Sequence, residues 1–302
     1  MTTVAIVGST ASGKSALALA VARLRGDVEI VSVDSMQVYR GMDIGTAKAT
    51  TDERREIPHH LIDLVEPTEE FTVAEYAKAC AAVHPEIERR GHHRLLVGGT
   101  GLYLRAAMAE LVPPGEWPGV RAALETEGAD EAGVRQLHAR LAQLDPAAAA
   151  KMTATNRRRV LRALEVTVGS GRPFSSFGPG LGAYPPSEVA QIGLRVPRPV
   201  LGRRIKERYA SQLAAGFLDE VRTLAARPLS RTASQALGYK ELLMHVRGEM
   251  SLDDAVALAV ARTRRFAVRQ ERWFRRDPRI RWIDVDENPL VALPVVLEAL
   301  GS

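Results

Sequence analysis

Residues 8–15 constrain this chain more than any other stretch. They read Gly8-Ser9-Thr10-Ala11-Ser12-Gly13-Lys14-Ser15 and match GxxxxGK[ST] in full. An apolar run at 4–7 precedes them and a helical period starts at Lys14, so the motif lies between a strand and a helix, the setting a P-loop requires. Glycines let the backbone curl, its N–H groups turn inward, and the N-terminus of the next helix adds positive potential. Lys14 brings a full charge, and the Ser15 hydroxyl is a ligand for Mg²⁺. The cradle predicts a bound di- or triphosphate. It leaves open which one, and whether it is hydrolysed.

The pattern around the cradle predicts the fold. After the helix at 14–24 come a strand at 29–33 and a candidate strand at 61–65. A helix at 72–90 follows, opened by Thr72 with Glu75 three residues on as a capping box. A strand at 95–97 stops at Gly98-Gly99. Strands separated by helices predict a parallel, doubly wound sheet. Pro113-Pro114-Gly115 and Pro118 then break the chain, and 120–170 shows only helical periods. A second break holds Pro173, Gly178-Pro179-Gly180 and Pro185-Pro186. Strand patterning returns at 189–196, helices run from Pro197-Arg198-Pro199 to about 276, and a last strand is expected at 281–283. The expected class is α/β: a P-loop-type parallel sheet core flanked by helices, with a mostly helical insertion domain. The core comprises 1–112 and 188–302 and ends in basic helices; the insertion is 113–187.

Composition excludes several classes. At 302 residues, roughly 150 per domain predicts two domains or one with a large insertion. Hydrophobic residues at 46% and charged residues at 25% are ordinary for globular chains and argue against disorder. A single cysteine, Cys80, rules out a disulfide framework or a cysteine-based zinc site, and its alanine-rich helical setting reads as buried and inert. The pairs His59-His60 and His92-His93 lack a third ligand at metal spacing. No apolar run approaches the ~18 residues of a membrane span, and the N-terminus runs straight into a strand. The chain is expected to be a soluble, cytoplasmic monomer.

Basic residues are clustered. Of 41 Lys and Arg, 35 are Arg, and 195–281 holds 20 basic against 9 acidic residues. Arg262, Arg265, Arg269, Arg272 and Arg276 recur at one-face helical spacing, with Phe266 and Trp273 between them as core or stacking groups. Such a face predicts RNA phosphates as its partner. Arg157, Arg158, Arg159 and Arg162 form a second patch in the insertion.

The strand at 29–33 ends in Asp34, at the carboxyl edge where such sheets bind ligands. Asp34 is either a turn residue or a group that reaches a substrate beside the phosphate, and the pattern alone weighs both equally. The strand at 95–97 ends in Gly98-Gly99-Thr100 rather than in a second acid. A P-loop kinase acting on a small molecule explains residues 1–40 but not the basic helices. A nucleic-acid-binding NTPase or plain RNA binder explains the arginines but not Asp34 and Thr100.

The run 33–48, Val33-Asp34-Ser35-Met36-Gln37-Val38-Tyr39-Arg40-Gly41-Met42-Asp43-Ile44-Gly45-Thr46-Ala47-Lys48, resembles the signature block of the tRNA dimethylallyltransferases, also called tRNA isopentenyltransferases. Further blocks fit in order: Pro58-His59-His60-Leu61-Ile62-Asp63, the run 97–104, the run 156–166, Leu237-Gly238-Tyr239-Lys240 and the run 263–275. They cover residues 4 to about 283, and nothing after Asp284 resembles the zinc-finger extension of some eukaryotic members, so the bacterial form is expected.

The resemblance implies transfer of a dimethylallyl group from dimethylallyl diphosphate to N6 of adenosine 37 in tRNAs reading codons that begin with U. Diphosphate leaves, and Mg²⁺ is the expected cofactor. It implies that Gly8, Ser9, Thr10, Ala11, Ser12, Gly13, Lys14 and Ser15 hold the diphosphate, with Ser15 on the metal. Arg208 joins them, because Arg204-Ile205-Lys206-Glu207-Arg208 resembles the family's arginine-bearing helix. Asp34 becomes the base that takes the amine proton, and Thr100 a group at the reacting centre as well as a candidate N-cap. Contacts to tRNA are implied for Asp34, Ser35, Met36, Gln37 and Thr100, with Gln37 reading the adenine edge. The same is implied for Arg121, Arg158, Arg159, Val160, Leu161 and Arg162 in the insertion, and for Gly238, Tyr239, Lys240, Arg265, Arg269 and Arg272. The tRNA anticodon stem-loop is the expected macromolecular partner. A relative making free cytokinin from adenylate is less consistent with the arginine patches and the insertion.

Overall fold

The apolar run that leads into the P-loop is the middle of a sheet. Val4, Ala5, Ile6 and Val7 are at most 1% exposed, so the strand is covered on both faces, as a central parallel strand must be. The computed structural model describes residues 1–111, 113–178 and 180–301. Pro179, in the second break, lies outside the described residues, as do Val112 and Ser302. The chain divides into two compact units, Met1–Ala109 with Pro186–Ser302, and Glu110–Pro185.

The larger unit holds β1 (Thr3–Gly8), α1 (Lys14–Arg25), β2 (Val28–Val33), α2 (Thr51–Glu56), β3 (His59–His60), α3 (Val73–Arg89), β4 (His93–Gly98) and α4 (Gly101–Ala107). The smaller unit holds α5 (Pro118–Glu127), α6 (Glu131–Leu144), α7 (Pro146–Ala149) and α8 (Arg157–Ser170). The larger then resumes with β5 (Ala190–Arg195), α9 (Arg198–Ala214), α10 (Phe217–Ala225), α11 (Tyr239–Val246), α12 (Leu252–Phe274), β6 (Ile280–Asp284) and α13 (Leu293–Leu300). The six strands run in the order β3-β2-β4-β1-β5-β6, and every pairing is parallel. The fold is thus α/β with a parallel P-loop-type core. Among the described residues no helix is long and apolar enough to cross a membrane.

Local chemistry accounts for the boundaries. Thr72 accepts from the Glu75 amide at 3.2 Å while Glu75 accepts from the Thr72 amide at 2.6 Å, closing the expected capping box of α3. In the smaller unit Asp130 caps α6 and Asn156 caps α8. That unit has its own core, in which Leu124, Leu141, Val160, Leu161 and Leu164 are buried.

The strand expected at 61–65 does not form. Leu61 and Asp63 have φ of +60° and +55°, incompatible with an extended ladder, and pairing there is reduced to a single bridge between Tyr39 and Val65. Charge holds this bend: the Asp63 carboxylate accepts from Lys48 and Arg54, each at 2.6 Å. The strand instead lies just upstream at His59–His60.

At the opposite edge from the P-loop, the fully buried Glu29 is the second residue of β2. Its carboxylate accepts from Arg90 at 2.6 and 2.8 Å, from His92 at 2.9 Å, and from His60. Burial by itself would raise this acid; Arg90 and His60 outweigh it and bring it down to about 2. Glu29→Ala is expected to cost about 3 kcal/mol in urea unfolding at pH 7. The wild type's advantage is expected to fade as pH drops from the ordinary carboxylate range through 2, where Glu29 protonates.

Candidate active site

Strand order brings three distant segments together. β2, β4 and β1 are neighbours, and their carboxyl ends carry Asp34, Thr100 and the P-loop. Close approach is built in at Gly98, where an added Cβ would lie 2.0 Å from the Val33 carbonyl oxygen. The Thr100 amide donates to that same oxygen at 3.3 Å.

The P-loop leaves β1 through Gly8, reverses at Ala11 (φ +61°), and enters α1 through Gly13 at φ +93°. Gly13 has no room for a side chain: a Cβ would lie 2.6 Å from Pro289. Lys14 Nζ donates to the Ser9 carbonyl at 2.7 Å, folding its ammonium over the loop. Arg208, on α9, donates from Nη1 to Thr10 Oγ1 at 2.9 Å, and its Nε is buried without a partner. Ser12 Oγ is likewise buried and unpartnered. Unsatisfied donors beside two cations are what an anion site looks like before its anion arrives. Desolvation by surrounding protein pulls Lys14 down to about 8, against the opposing pull of Asp34, and Arg208 adds to the lowering. Burial also lowers Arg208 from its ordinary value.

Asp34 Oδ1 accepts from the Met36 amide at 2.8 Å, an Asx turn that orients the carboxylate. The turn does not withdraw Asp34 from the site, because its side chain also lines the cavity above the P-loop. Thr100 precedes α4 but its hydroxyl makes no cap bond. It accepts instead from the Ser35 amide at 3.2 Å, tying the β4 turn to the Asp34 turn. Asp34, Thr100, Lys14, Ser15 and Arg208 line one cavity of about 710 Å³, large enough for a small diphosphate and a nucleobase together.

Gln37 also lines this cavity, but both ends of its amide are bonded within the protein. Its Oε1 accepts from Ser32 Oγ at 2.8 Å, and its Nε2 donates to the Thr46 and Ala47 carbonyls at 3.2 and 3.3 Å. The loop behind it is clamped by residues that sequence reasoning missed. Glu220 accepts from the amides of Asp43, Ile44 and Gly45 at 2.8–3.2 Å, and Gln212 donates to the Ile44 and Gly45 carbonyls. Tyr239 is part of this clamp: it is 1% exposed and its hydroxyl donates to Glu220 at 2.6 Å. Tyr239 lines the cavity while its hydroxyl is held by Glu220, Gly238 is buried at the start of α11, and Lys240 is partly exposed and donates to Gln235 at 2.6 Å.

On α12, Arg265, Arg269, Arg272 and Arg276 are exposed. Arg269 and Arg276 lie over the rings of Phe266 and Trp273, at 5.6 and 4.5 Å. Arg262 leaves the series, donating to the buried Glu241 at 2.6 Å. In the smaller unit Arg158 and Arg159 are exposed, whereas the other residues expected to meet tRNA there are buried or held by internal partners. Val160 and Leu161 are fully buried, because the helix face they share is the core face of α8. Arg162 donates to Glu165 and to the Pro114 carbonyl, both at 2.8 Å. Arg121 pairs with Glu125 at 2.9 Å, and Arg157 closes the end of α5 through the Gly128 carbonyl at 2.7 Å. These three arginines have structural partners that composition cannot reveal.

Residues 37–277 match the family described as IPP transferase. A tRNA dimethylallyltransferase of Thermobifida fusca is 49% identical over 297 residues, covering 96% of this chain and 92% of the relative. One from a Nocardioides strain is 47% identical over 304 residues, covering 99% and 97%. The crystal structure of a full-length tRNA isopentenylpyrophosphate transferase from Bacillus halodurans aligns with a TM-score of 0.70 and 36% identity, covering 99% of this chain and 96% of that one. A eukaryotic dimethylallyltransferase captured acting on tRNA aligns with a TM-score of 0.78 and 26% identity, covering 95% of this chain and 75% of that one. A parallel P-loop core, an acid and a threonine at neighbouring strand ends, and relatives at such identity over nearly the full chain lead to one assignment: the chain belongs to the IPP transferase family and is an enzyme of the tRNA dimethylallyltransferase type.

Proposed function

We propose that this enzyme transfers the dimethylallyl group of dimethylallyl diphosphate to N6 of adenosine 37 in tRNAs reading codons that begin with U, releasing diphosphate. Support comes above all from one juxtaposition: Asp34 and Thr100 share a cavity with Lys14 and Arg208. The first pair suits an amine acceptor, and the second a diphosphate leaving group. A small-molecule kinase would leave the exposed arginines of α12 without a purpose.

In this proposal the bond between the allylic carbon and the diphosphate oxygen breaks while the bond from that carbon to N6 forms. Negative charge grows on the leaving group, and Lys14, Arg208 and the first-turn amides of α1 would meet it. The N6 lone pair is delocalised into the ring, so its proton must depart as the new bond forms. The Asp34 carboxylate takes that proton. Thr100 holds the Asp34 turn in place and would donate its hydroxyl proton to the bridging oxygen. The adenine must leave the anticodon-loop stack to enter, which requires base flipping. Ser15, in the first turn of α1 and on the cavity wall, suits Mg²⁺, which takes few protein oxygens and shares phosphate oxygens. Bound there, Mg²⁺ would neutralise diphosphate charge. The reaction belongs in the cytoplasm, with its tRNA.

Arg158, Arg159, Arg265, Arg269 and Arg272 are the proposed phosphate contacts to the anticodon stem-loop. Replacing Arg265 and Arg272 together with alanine is expected to weaken tRNA binding and flatten its salt dependence by a slope of about 2, leaving the Michaelis constant for the donor unchanged. Filter binding across a salt series reads this. The reaction itself is tested by incubating the enzyme with the prenyl donor and either unmodified tRNA or the same tRNA carrying guanosine at position 37. Nucleoside mass spectrometry should find N6-dimethylallyladenosine in the first only. Equal labelling of both would remove the N6 assignment.

A further inference from the structure

Gln270 sits in the middle of the arginine-rich run of α12, yet it points the other way. Thr263, Ala267, Gln270 and Phe274 form the buried stripe of that helix. A glutamine in that stripe needs partners on both ends of its amide. It has them: Oε1 accepts from the Thr10 amide at 2.8 Å, and Nε2 donates to the Gly99 carbonyl at 2.9 Å. An amide donor on one side and a carbonyl on the other fix the orientation of the side chain without ambiguity. Space is matched to the contact, since a Cβ on Gly99 would lie 2.2 Å from Gln270 Nε2.

Thr10 belongs to the P-loop and takes the Arg208 guanidinium on its hydroxyl. Gly99 precedes Thr100, whose hydroxyl holds the Asp34 turn. β1 and β4 are hydrogen-bonded neighbours as far as Gly98, which sets their separation there. Past their ends the two loops have no ladder between them, and Gln270 spans the gap. We propose that Gln270 is a positioning residue, a strut that sets the distance between the diphosphate loop and the turn carrying Thr100 and Asp34. It rests on the proposed reaction for its catalytic consequence, but its effect on the diphosphate loop does not. Because the Thr10 amide is occupied by Gln270 and the Ser12 amide by the Ser9 carbonyl, the anion must be met by Lys14, Arg208 and the first-turn amides of α1.

Three variants separate strut from filler. Gln270→Leu keeps the bulk and loses both bonds. Gln270→Glu keeps the acceptor for Thr10 but sets an oxygen against the Gly99 carbonyl. Gln270→Asn keeps the amide on a shorter stem. Each is measured for kcat, for both Michaelis constants, for thermal midpoint, and for calorimetric binding of inorganic diphosphate. The strut predicts that Gln270→Leu and Gln270→Glu lose kcat by about 100-fold, the cost of misplacing reacting groups by an ångström or so. It also predicts weaker diphosphate binding, an unchanged Michaelis constant for tRNA, and partial recovery in Gln270→Asn. A merely packed side chain would lower the thermal midpoint while kcat of the folded enzyme stayed at the wild-type value, and that result overturns the proposal. Should the wild type bind diphosphate without transferring a prenyl group, the reaction fails separately, and equal diphosphate affinity in wild type and Gln270→Leu would still refute the strut.

Discussion

Replacing Asp34 with alanine is expected to lower prenyl transfer by about 10²–10⁴-fold, the usual worth of a positioned base. Binding of tRNA and of inorganic diphosphate should persist, because the arginines of α12 and the P-loop are untouched. The Asx turn complicates a simple reading, since Asp34 Oδ1 also holds the Met36 amide. Asp34→Asn resolves this: its side-chain oxygen can still accept from Met36, but it cannot take a proton. If Asp34 serves as a base, Asn and Ala lose comparable rate. If it serves only the turn, Asn stays near wild type.

Lys14→Met is expected to weaken diphosphate binding by about 10–100-fold, the range for a charge-assisted hydrogen bond. Its pH dependence is more telling. With Lys14 at about 8 in the free enzyme, its charge is present below that value and lost above it. A bound diphosphate favours the charged form, so affinity should fall as pH rises through 8. In Lys14→Arg the guanidinium stays charged, and the fall should disappear. Calorimetry with inorganic diphosphate from pH 6.5 to about 9.5 reads both effects. A wild-type affinity flat across that range would remove Lys14 from the anion site.

Much of this was legible before the fold was known. The P-loop carries its own context, and the Thr72–Glu75 box announced α3. Apolar runs located five of the six strands. The adjacency of Asp34, Thr100 and Lys14 was not legible from spacing, because it depends on strand order, which places β4 between β1 and β2. The failed strand at 61–65 shows a different limit: its apolar residues looked extended, but Lys48 and Arg54 pull Asp63 into a bend. Arginine patches overstate a surface for the same reason. Arg121, Arg157, Arg162 and Arg262 all bind nearby acids or carbonyls, and only the fold separates them from exposed Arg265 and Arg272. Gln270 could have been found from periodicity, since it is the one polar amide that falls on the buried stripe between the arginines. Glu220 carries no such signal; its three amide partners lie some 175 residues upstream.

In the proposed reaction the P-loop serves a prenyl diphosphate leaving group rather than a nucleotide. The most direct measurement follows inorganic diphosphate release and tRNA labelling together, in one reaction holding radiolabelled dimethylallyl diphosphate, unmodified tRNA, Mg²⁺ and excess ATP. One diphosphate should be released per label incorporated, with ATP left intact. Consumption of ATP without label in tRNA would contradict that role of the P-loop.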